Sequence, residues 1–223
     1  MKKYYQITPT IDPKVIGRSS MPYTIKITTK GFGKYAMENC RGMLMYFAHK
    51  DTIYKNLPDN LTGTLERKKK CIDYMDYYPK FLSLNAVISG RIKRIFEELN
   101  VGKNEYILKP ITIKNADEPY YLLFVPIIDY SEIIFPKTVF EDITGKGEDR
   151  VFNSVEEYLN TKGLYTIKKV ELPQKYSAYD IIRIPACPEA FFSERILKAF
   201  EEAGIVGYHI WKDSYKKLAF DEE

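Results

Sequence analysis

Two histidines are the first candidates for chemistry, because imidazole is the side chain that exchanges protons most readily near neutral pH. His49 lies in the segment 47–51, and His209 alternates with Tyr208 and Ile210 near the end of the chain. Neither has a second histidine, a cysteine or a carboxylate at the spacing of a metal site such as H-x-x-x-H or C-x-x-C. We therefore expect both to be solvated or hydrogen-bonded structural residues.

Cys187 is a third candidate, because it precedes a predicted helix whose N-terminus would stabilise a thiolate. A nucleophilic cysteine also needs a base, and no neighbouring histidine supplies one. The paired glutamates cannot share a substrate, because adjacent helical residues point about 100° apart. These pairs are Glu97-Glu98, Glu156-Glu157 and Glu201-Glu202. We predict that the chain is not an enzyme and has no catalytic residue, cofactor or metal.

The run Arg67-Lys68-Lys69-Lys70 is the one candidate for contact with nucleic acid. Tyr74, Tyr77 and Tyr78 follow it, and this order would offer cations for phosphates and rings for stacking on bases. The pI of about 8.7 is lower than that of most nucleic-acid-binding modules, whose basic residues dominate more strongly. We therefore keep nucleic-acid binding as an alternative.

Tyrosine is abundant, with 19 copies, and it is well suited to protein interfaces because it combines an apolar ring with a hydroxyl. Tyr77-Tyr78 and Tyr120-Tyr121 are adjacent pairs in segments that read as strands. Successive side chains of a strand point to opposite faces, so one ring of each pair should face outward. We take Tyr77, Tyr78, Tyr120 and Tyr121 as the candidate partner-binding residues.

The composition is that of an ordered globular protein, with 45% hydrophobic and 29% charged residues in 223. The first residues pass directly into polar sequence, without the apolar stretch of a secretory signal, and no apolar run is long enough for a transmembrane helix. The three cysteines, Cys40, Cys71 and Cys187, are odd in number and far apart, as expected of reduced thiols. We predict a soluble cytoplasmic protein without a membrane partner.

Charge divides the chain unevenly. Residues 1–84 hold 15 Lys and Arg against 7 Asp and Glu, a balance of +8, whereas residues 85–223 hold 19 against 23, a balance of −4. Such a split can favour self-association, mark one face for a charged partner, or be incidental. We place a boundary here, between a basic, tyrosine-rich, β-containing region at 1–84 and an α+β region at 85–223, although a single domain of this length is equally ordinary.

The N-terminal elements are weakly marked. Alternation over residues 23–28 predicts a short strand among several Pro and Gly breaks. Residues 35–47 fit either a strand pair or a short helix. From Ser83 the pattern sharpens, because apolar residues recur at three- and four-residue spacings and predict an amphipathic helix ending near Asn100. They are Val87, Ile88, Ile92, Ile95, Phe96 and Leu99.

The rest of the chain alternates strands and one helix. Runs at 106–113 and 120–128 predict a hairpin. Further strands are predicted at 165–172, 181–184 and 206–211. Between the last two strands, Ser193 is a predicted N-cap of a second amphipathic helix that ends at Gly204.

These two helices share the pattern S-x-R-I-x-[KR]-x-F-E-E, at 89–98 and again at 193–202. A duplicated helix-strand unit is one interpretation. The other, which we favour from the sequence, is that amphipathic surface helices reuse Arg, Lys, Glu and Phe because helix propensity selects them.

Several of these segments together resemble one family of bacterial proteins, first described as a domain of unknown function and later as predicted immunity proteins of polymorphic toxin systems. The resemblance covers much of residues 82–211, and the first 80 residues match less. It implies a cytosolic α+β protein that neutralises a cognate toxin domain by binding it. The segments are LSLNAVISGRIKRI at 82–95, YILKPI at 106–111, YYLL at 120–123, IIRI at 181–184, FSERILKAF at 192–200 and AGIVGY at 203–208.

The sequence thus predicts an α+β protein with mostly antiparallel sheets and a few amphipathic helices, in one domain or two lobes. The expected function, implied by the resemblance, is that of an immunity protein whose partner is a cognate toxin domain. The alternatives are a nucleic-acid-binding protein that uses the basic N-terminal half, and an enzyme built on Cys187, His49 or His209.

Overall fold

The computed structural model describes residues 2–18, 21–39, 42–161, 164–211 and 216–221, and it has the predicted α+β architecture. The strands are β1 (Tyr4–Pro9), β2 (Ile25–Ile27), β3 (Thr62–Leu65), β4 (Tyr74–Met75), β5 (Tyr77–Tyr78), β6 (Leu84–Ser89), β7 (Ile107–Ile113), β8 (Tyr120–Phe124), β9 (Val139–Asp142), β10 (Tyr165–Pro173), β11 (Ile181–Ile182), β12 (Phe191–Ser193), β13 (Tyr208–Ile210) and β14 (Lys217–Asp221). The α-helices are α1 (Pro13–Ile16), α2 (Phe32–Asn39), α3 (Met43–His49), α4 (Gly90–Glu98), α5 (Val155–Leu159) and α6 (Glu194–Glu202).

The strands form three sheets. The largest has the order β4-β6-β8-β7-β3-β2-β5, the second β11-β12-β1-β13, and the third β14-β10-β9. Most neighbouring strands are antiparallel, as predicted; β2 with β5, β3 with β7 and β10 with β14 are parallel. Buried apolar side chains gather in three clusters, two of which include residues of the largest sheet.

The boundary predicted at residue 84 from the charge does not coincide with a structural division. Leu84 is the first residue of β6, and the largest sheet joins β2 to β5 from one side of the boundary with β6 to β8 from the other. The N-terminal β1 pairs with β12 and β13, near the opposite end of the chain. Surface charge and chain topology are therefore independent here.

The helix predicted from Val87 was wrong at its start, because α4 begins only at Gly90. The residues before it form β6, and all six of its side chains are buried. A strand buried on both faces has a continuous apolar run without alternation, and such a run cannot be distinguished from a helical stripe by spacing. Residues 35–47, which the pattern left undecided, lie mainly in helices α2 and α3.

Other predictions are confirmed. β7 and β8 form the antiparallel hairpin expected from the two apolar runs. β10, β11 and β13 lie within one or two residues of the predicted strands, with β11 shorter than expected.

The first copy of the S-x-R-I pattern surrounds a buried aspartate that lies outside the pattern. Ser89 donates its hydroxyl hydrogen to Asp73 at 2.7 Å, and Arg91 donates from Nη1 to the same carboxylate at 3.0 Å. The Ser89 amide also donates to the Asp73 carbonyl oxygen at 2.9 Å. Asp73 precedes β4, which pairs with β6, so the three residues connect the strand pair to the start of α4.

The second copy has the same arrangement around Asp180, which precedes β11. Ser193 Oγ donates to its carboxylate at 2.7 Å, Arg195 Nε donates at 2.7 Å, and the Ser193 amide donates to its carbonyl oxygen at 2.8 Å. Ser193 occupies the predicted N-cap position of α6, yet its hydroxyl binds Asp180 and not a helix amide.

The ends of the two helices also match. Val101 donates its amide hydrogen to the Phe96 carbonyl, and Ile205 donates to the Phe200 carbonyl, both at 2.9 Å. The helices contact each other through stacked Phe96 and Phe200 rings, whose centroids are 6.2 Å apart. Helix composition cannot explain why both copies bind an aspartate outside the pattern. The structure therefore favours the duplicated unit over the interpretation preferred from the sequence.

Candidate functional site

The four candidate tyrosines differ in exposure within each pair. Tyr78 is 50% exposed, and Tyr121 is half-buried beneath the Lys93 ammonium. Tyr77 is buried, and its hydroxyl donates to the Leu84 carbonyl at 2.6 Å. Tyr120 is also buried. A partner can therefore reach Tyr78 and Tyr121, whereas Tyr77 and Tyr120 belong to the core.

The three residues on which an enzyme would depend lie on separate elements. His49 ends α3 and His209 lies in β13. Cys187 is buried, accepts a hydrogen bond from Gln6 Nε2 at 2.9 Å, and lies seven residues before α6. It is thus not at the helix N-terminus as predicted, and burial raises the pKa of its thiol. In the described parts of the chain, no three His, Cys, Asp or Glu side chains are placed to hold a metal ion.

The basic run borders a groove of about 470 Å³. Arg67, Lys68 and Lys69 line it together with Lys114, which belongs to the loop after β7. Of the tyrosines expected to accompany this run, Tyr74 and Tyr77 are buried and cannot stack on bases.

A cavity of about 480 Å³ lies between α2, the segment from β5 to β6, and the loop that follows β11. We call it the Arg183 cavity. Its wall is apolar on the side of α2. Its charged residues are Asp76 and Lys80 on either side of β5, and Arg183 and Glu189 after β11. It is lined by Pro9, Ala36, Met37, Asp76, Tyr77, Lys80, Phe81, Leu82, Leu84, Asn85, Arg183, Pro188 and Glu189.

Arg183 is the most unusual residue of this cavity, because its guanidinium is buried and incompletely hydrogen-bonded. The residue is 4% exposed, and Nη2 donates to the Pro188 carbonyl at 2.6 Å. Nε and Nη1 have no hydrogen-bond partner among the residues that the structure describes. Buried charged groups are nearly always paired, because an unpaired one loses its hydration without compensation. The site therefore has an unused capacity to bind an acceptor.

The other polar groups of the cavity already have partners or compensating charges. Lys80 forms an ion pair with Asp76, and its ammonium lies 4.7 Å from the centre of the Tyr77 ring. Asn85 donates from Nδ2 to the Tyr74 hydroxyl. Burial raises the pKa of Glu189, while Arg183 and Lys80 act in the opposite direction.

Apolar side chains are exposed on α2, which lines the cavity, and on the neighbouring α3. Met37 lines the cavity from α2 and is 57% exposed. Leu44, which is 81% exposed, and Met45 project from α3, and this helix packs against α2. We call Met37, Leu44 and Met45 the α2–α3 surface.

Neither Arg183 nor Glu189 was singled out from the sequence. One signal was present, because Arg183 is a charged residue inside the apolar run 181–184, which was itself predicted to be a buried strand. A buried charge needs a partner and can mark a site. Asp76, Lys80 and Glu189 gave no comparable signal, since only the tertiary fold brings them to Arg183.

No family model and no curated protein matches this chain. Among the described residues, none of the helices has the length and apolar character needed to cross a bilayer.

Proposed function

We propose that this chain is an immunity protein, which binds a cognate toxin domain in the cytoplasm of the bacterium that makes it. The proposal is supported by the sequence resemblance over residues 82–211 and by one structural observation. That observation is the α2–α3 surface, where Met37 lines a cavity that holds a buried arginine and Leu44 is exposed on the helix that packs against α2.

This arrangement has the composition of a protein interface. Interfaces are enriched in Met, Tyr and Arg, and their binding energy is concentrated in a few side chains that become fully desolvated. The α2–α3 surface supplies the apolar part, and the Arg183 cavity supplies a polar recess next to it. Binding there would neutralise the toxin stoichiometrically, without a chemical step.

The deciding experiment is co-expression with the toxin domain encoded by a neighbouring gene. We expect protection of the cells from the toxin and a purified complex that elutes as one species. Leu44→Asp and Met37→Asp should each weaken the complex by roughly five- to tenfold or more, the loss expected when a contributing interface residue is changed.

The matched control is Ile143→Asp, which changes an equally exposed apolar residue, 60% accessible, at the end of β9. It should leave toxin affinity and protection unchanged. Absence of both a complex and protection with every adjacent candidate toxin would contradict the proposal. Equal weakening by all three variants would place the interface elsewhere.

The basic groove supports a second candidate function, the binding of nucleic acid. Three residues of the basic run and Lys114 face one groove, so several phosphates could be contacted together. Fluorescence anisotropy with a labelled oligonucleotide at low salt tests this. Binding that weakens steeply with salt, and that Lys68→Glu reduces, would favour it; absence of binding at low salt would remove it.

A further inference from the structure

The buried guanidinium of Arg183 has donors that the described residues do not use. A guanidinium carries five N–H groups, and those on Nε and Nη1 have no acceptor here. Leaving them so is destabilising, since their hydration is lost without replacement. Arg183 lies in the wall of the cavity. Nε and Nη1 are themselves shielded from water, so a bound acceptor would restore these hydrogen bonds once the guanidinium turns towards it.

The charges next to Arg183 do not fully neutralise it, so an anion could bind there. Lys80 and Asp76 largely cancel each other as an ion pair. Glu189 is the remaining acid, and no ion pair joins it to Arg183 in the described part of the chain. The Tyr77 hydroxyl donates to backbone carbonyls and is not a hydrogen-bond partner of Arg183 Nε or Nη1. The positive charge of Arg183 is thus incompletely compensated.

We propose that the Arg183 cavity binds a carboxylate carried by a short aliphatic chain. The volume of about 480 Å³ is in the range of small-ligand sites. Ala36, Phe81 and Leu84 line it and suit the methylene groups. A phosphate dianion fits less well, because a second negative charge would have to be desolvated beside Glu189.

Such a carboxylate has two sources with the same chemistry. It can be a small free acid, or it can be the end of an acidic side chain on a bound protein. Binding of a free acid does not depend on the proposed function, whereas binding of a partner's acidic side chain rests on it. An experiment on the chain alone therefore tests the site independently of any toxin.

The test uses the full chain labelled with ¹⁵N in arginine and titrated with butyrate, with sodium chloride at matched ionic strength as the control. We expect the Nε–Hε resonance of Arg183 to shift saturably, with a dissociation constant on the order of millimolar, as is usual for a small ligand. Sodium chloride should not produce this shift.

Two variants make the test specific. Arg183→Lys keeps the charge but lacks the guanidinium fork, and the resonance that disappears in this variant is that of Arg183. Measured by thermal stabilisation, the variant should bind butyrate at least about tenfold more weakly. Glu189→Gln keeps Arg183 and the shape of the wall, removes the competing acid, and should tighten binding severalfold. Because this second variant retains the guanidinium, it tests the site even if Arg183→Lys fails to fold.

A resonance that does not respond to butyrate, in either the parent chain or Glu189→Gln, overturns the proposal, whatever the outcome with a toxin. If butyrate binds and Arg183→Lys also weakens a toxin complex, an acidic side chain of the partner occupies the cavity. If butyrate binds and the toxin complex is unaffected, the cavity is a site for a free acid.

Discussion

Asp180 holds together residues that are far apart in the chain. Its carboxylate is buried, accepts hydrogen bonds from Ser193 and Arg195, and forms an ion pair with Lys2 at 2.9 Å. Its backbone amide donates to Glu105 at 2.7 Å. Asp180 thereby connects the N-terminus and the start of α6 through its side chain, and the segment before β7 through its backbone amide.

Replacing Asp180 by Asn should therefore destabilise the protein. The amide keeps the shape but loses the charge, and it places an NH₂ group where an acceptor is needed. We expect a loss of about 2–3 kcal/mol in the free energy of unfolding, at the lower end for a broken buried pair because Arg195 and Lys2 are partly solvated. Urea denaturation measures this. Asp149→Asn, which removes an exposed ion pair with Lys168, is the control and should change little.

Acid should also remove the contribution of the Asp180 carboxylate to the free energy of unfolding. Burial alone would raise the pKa of Asp180, but hydrogen bonds from Arg195, Ser193 and Lys2 outweigh it and lower the pKa from 3.8 to about 2. A carboxylate whose pKa is lower in the folded state stabilises above its unfolded pKa and loses this effect as pH falls through the folded value. The stability difference between the parent chain and Asp180→Asn should be constant above about pH 5 and shrink as the pH falls towards 2. A difference that does not change over this range would contradict the prediction.

Some of these residue-scale features were accessible from the sequence and others were not. Alternation along a strand predicted that one tyrosine of each pair faces outward. Tyr78 is exposed, whereas Tyr121 is half-buried against the second core cluster. Alternation could not say which pair lies near a cavity. Arg183 and Glu189 are six residues apart in the chain, but Lys80 joins them only through the packing of α2 and β6 against the loop after β11.

At the scale of elements, the two units that carry the S-x-R-I pattern contact each other through α4 and α6. Each helix presents one phenylalanine to the other, and both rings are fully buried. Arg91 of the first unit also donates to the Ala203 carbonyl at the end of α6. Packing across this contact should therefore couple the stabilities of the two units.

A double-mutant cycle on the two rings tests this coupling. Phe96→Ala and Phe200→Ala should each cost about 3–5 kcal/mol, because each leaves a cavity in the core. The double variant should cost less than the sum by about 0.5–1.5 kcal/mol, the part that belongs to the ring pair itself. If the two single losses in the free energy of unfolding simply add up in the double variant, the two rings do not interact energetically. If the double variant is unfolded, Phe→Leu at both positions gives the cycle with smaller losses.

Helices and strands were predicted correctly where the spacing of apolar residues matches the faces that are buried in the fold. α6 has one apolar face and was predicted with its end at Gly204. β6 has two buried faces, so its residues continued the apolar spacing of α4 and were assigned to the wrong element. The position of Ser89 at this junction is explained only by Asp73, which lies 16 residues earlier and outside any local pattern.

At the scale of the whole molecule, the sheets make the two halves of the chain interdependent. Cutting after residue 84 would remove β2, β3, β4 and β5 from the largest sheet and β1 from the second. It would also expose the Arg183 cavity, whose walls come from both sides of the cut. The difference in charge between the halves gives no indication of this, because charge patterns describe surfaces and not topology.

We therefore expect that residues 1–84 and 85–223, expressed as separate fragments, do not fold, since each would leave unpaired strand edges and apolar faces in water. Far-ultraviolet circular dichroism and amide proton dispersion measure this, and the intact chain should unfold in one cooperative transition. The matched control is a short Gly-Ser insertion after Gly145, in the exposed turn that follows β9, which should leave the transition nearly unchanged because exposed loops tolerate insertion. A fragment 85–223 with dispersed amide resonances would show that α4, α6 and the third sheet form an independent unit, and only then would the charge boundary also be a boundary of folding.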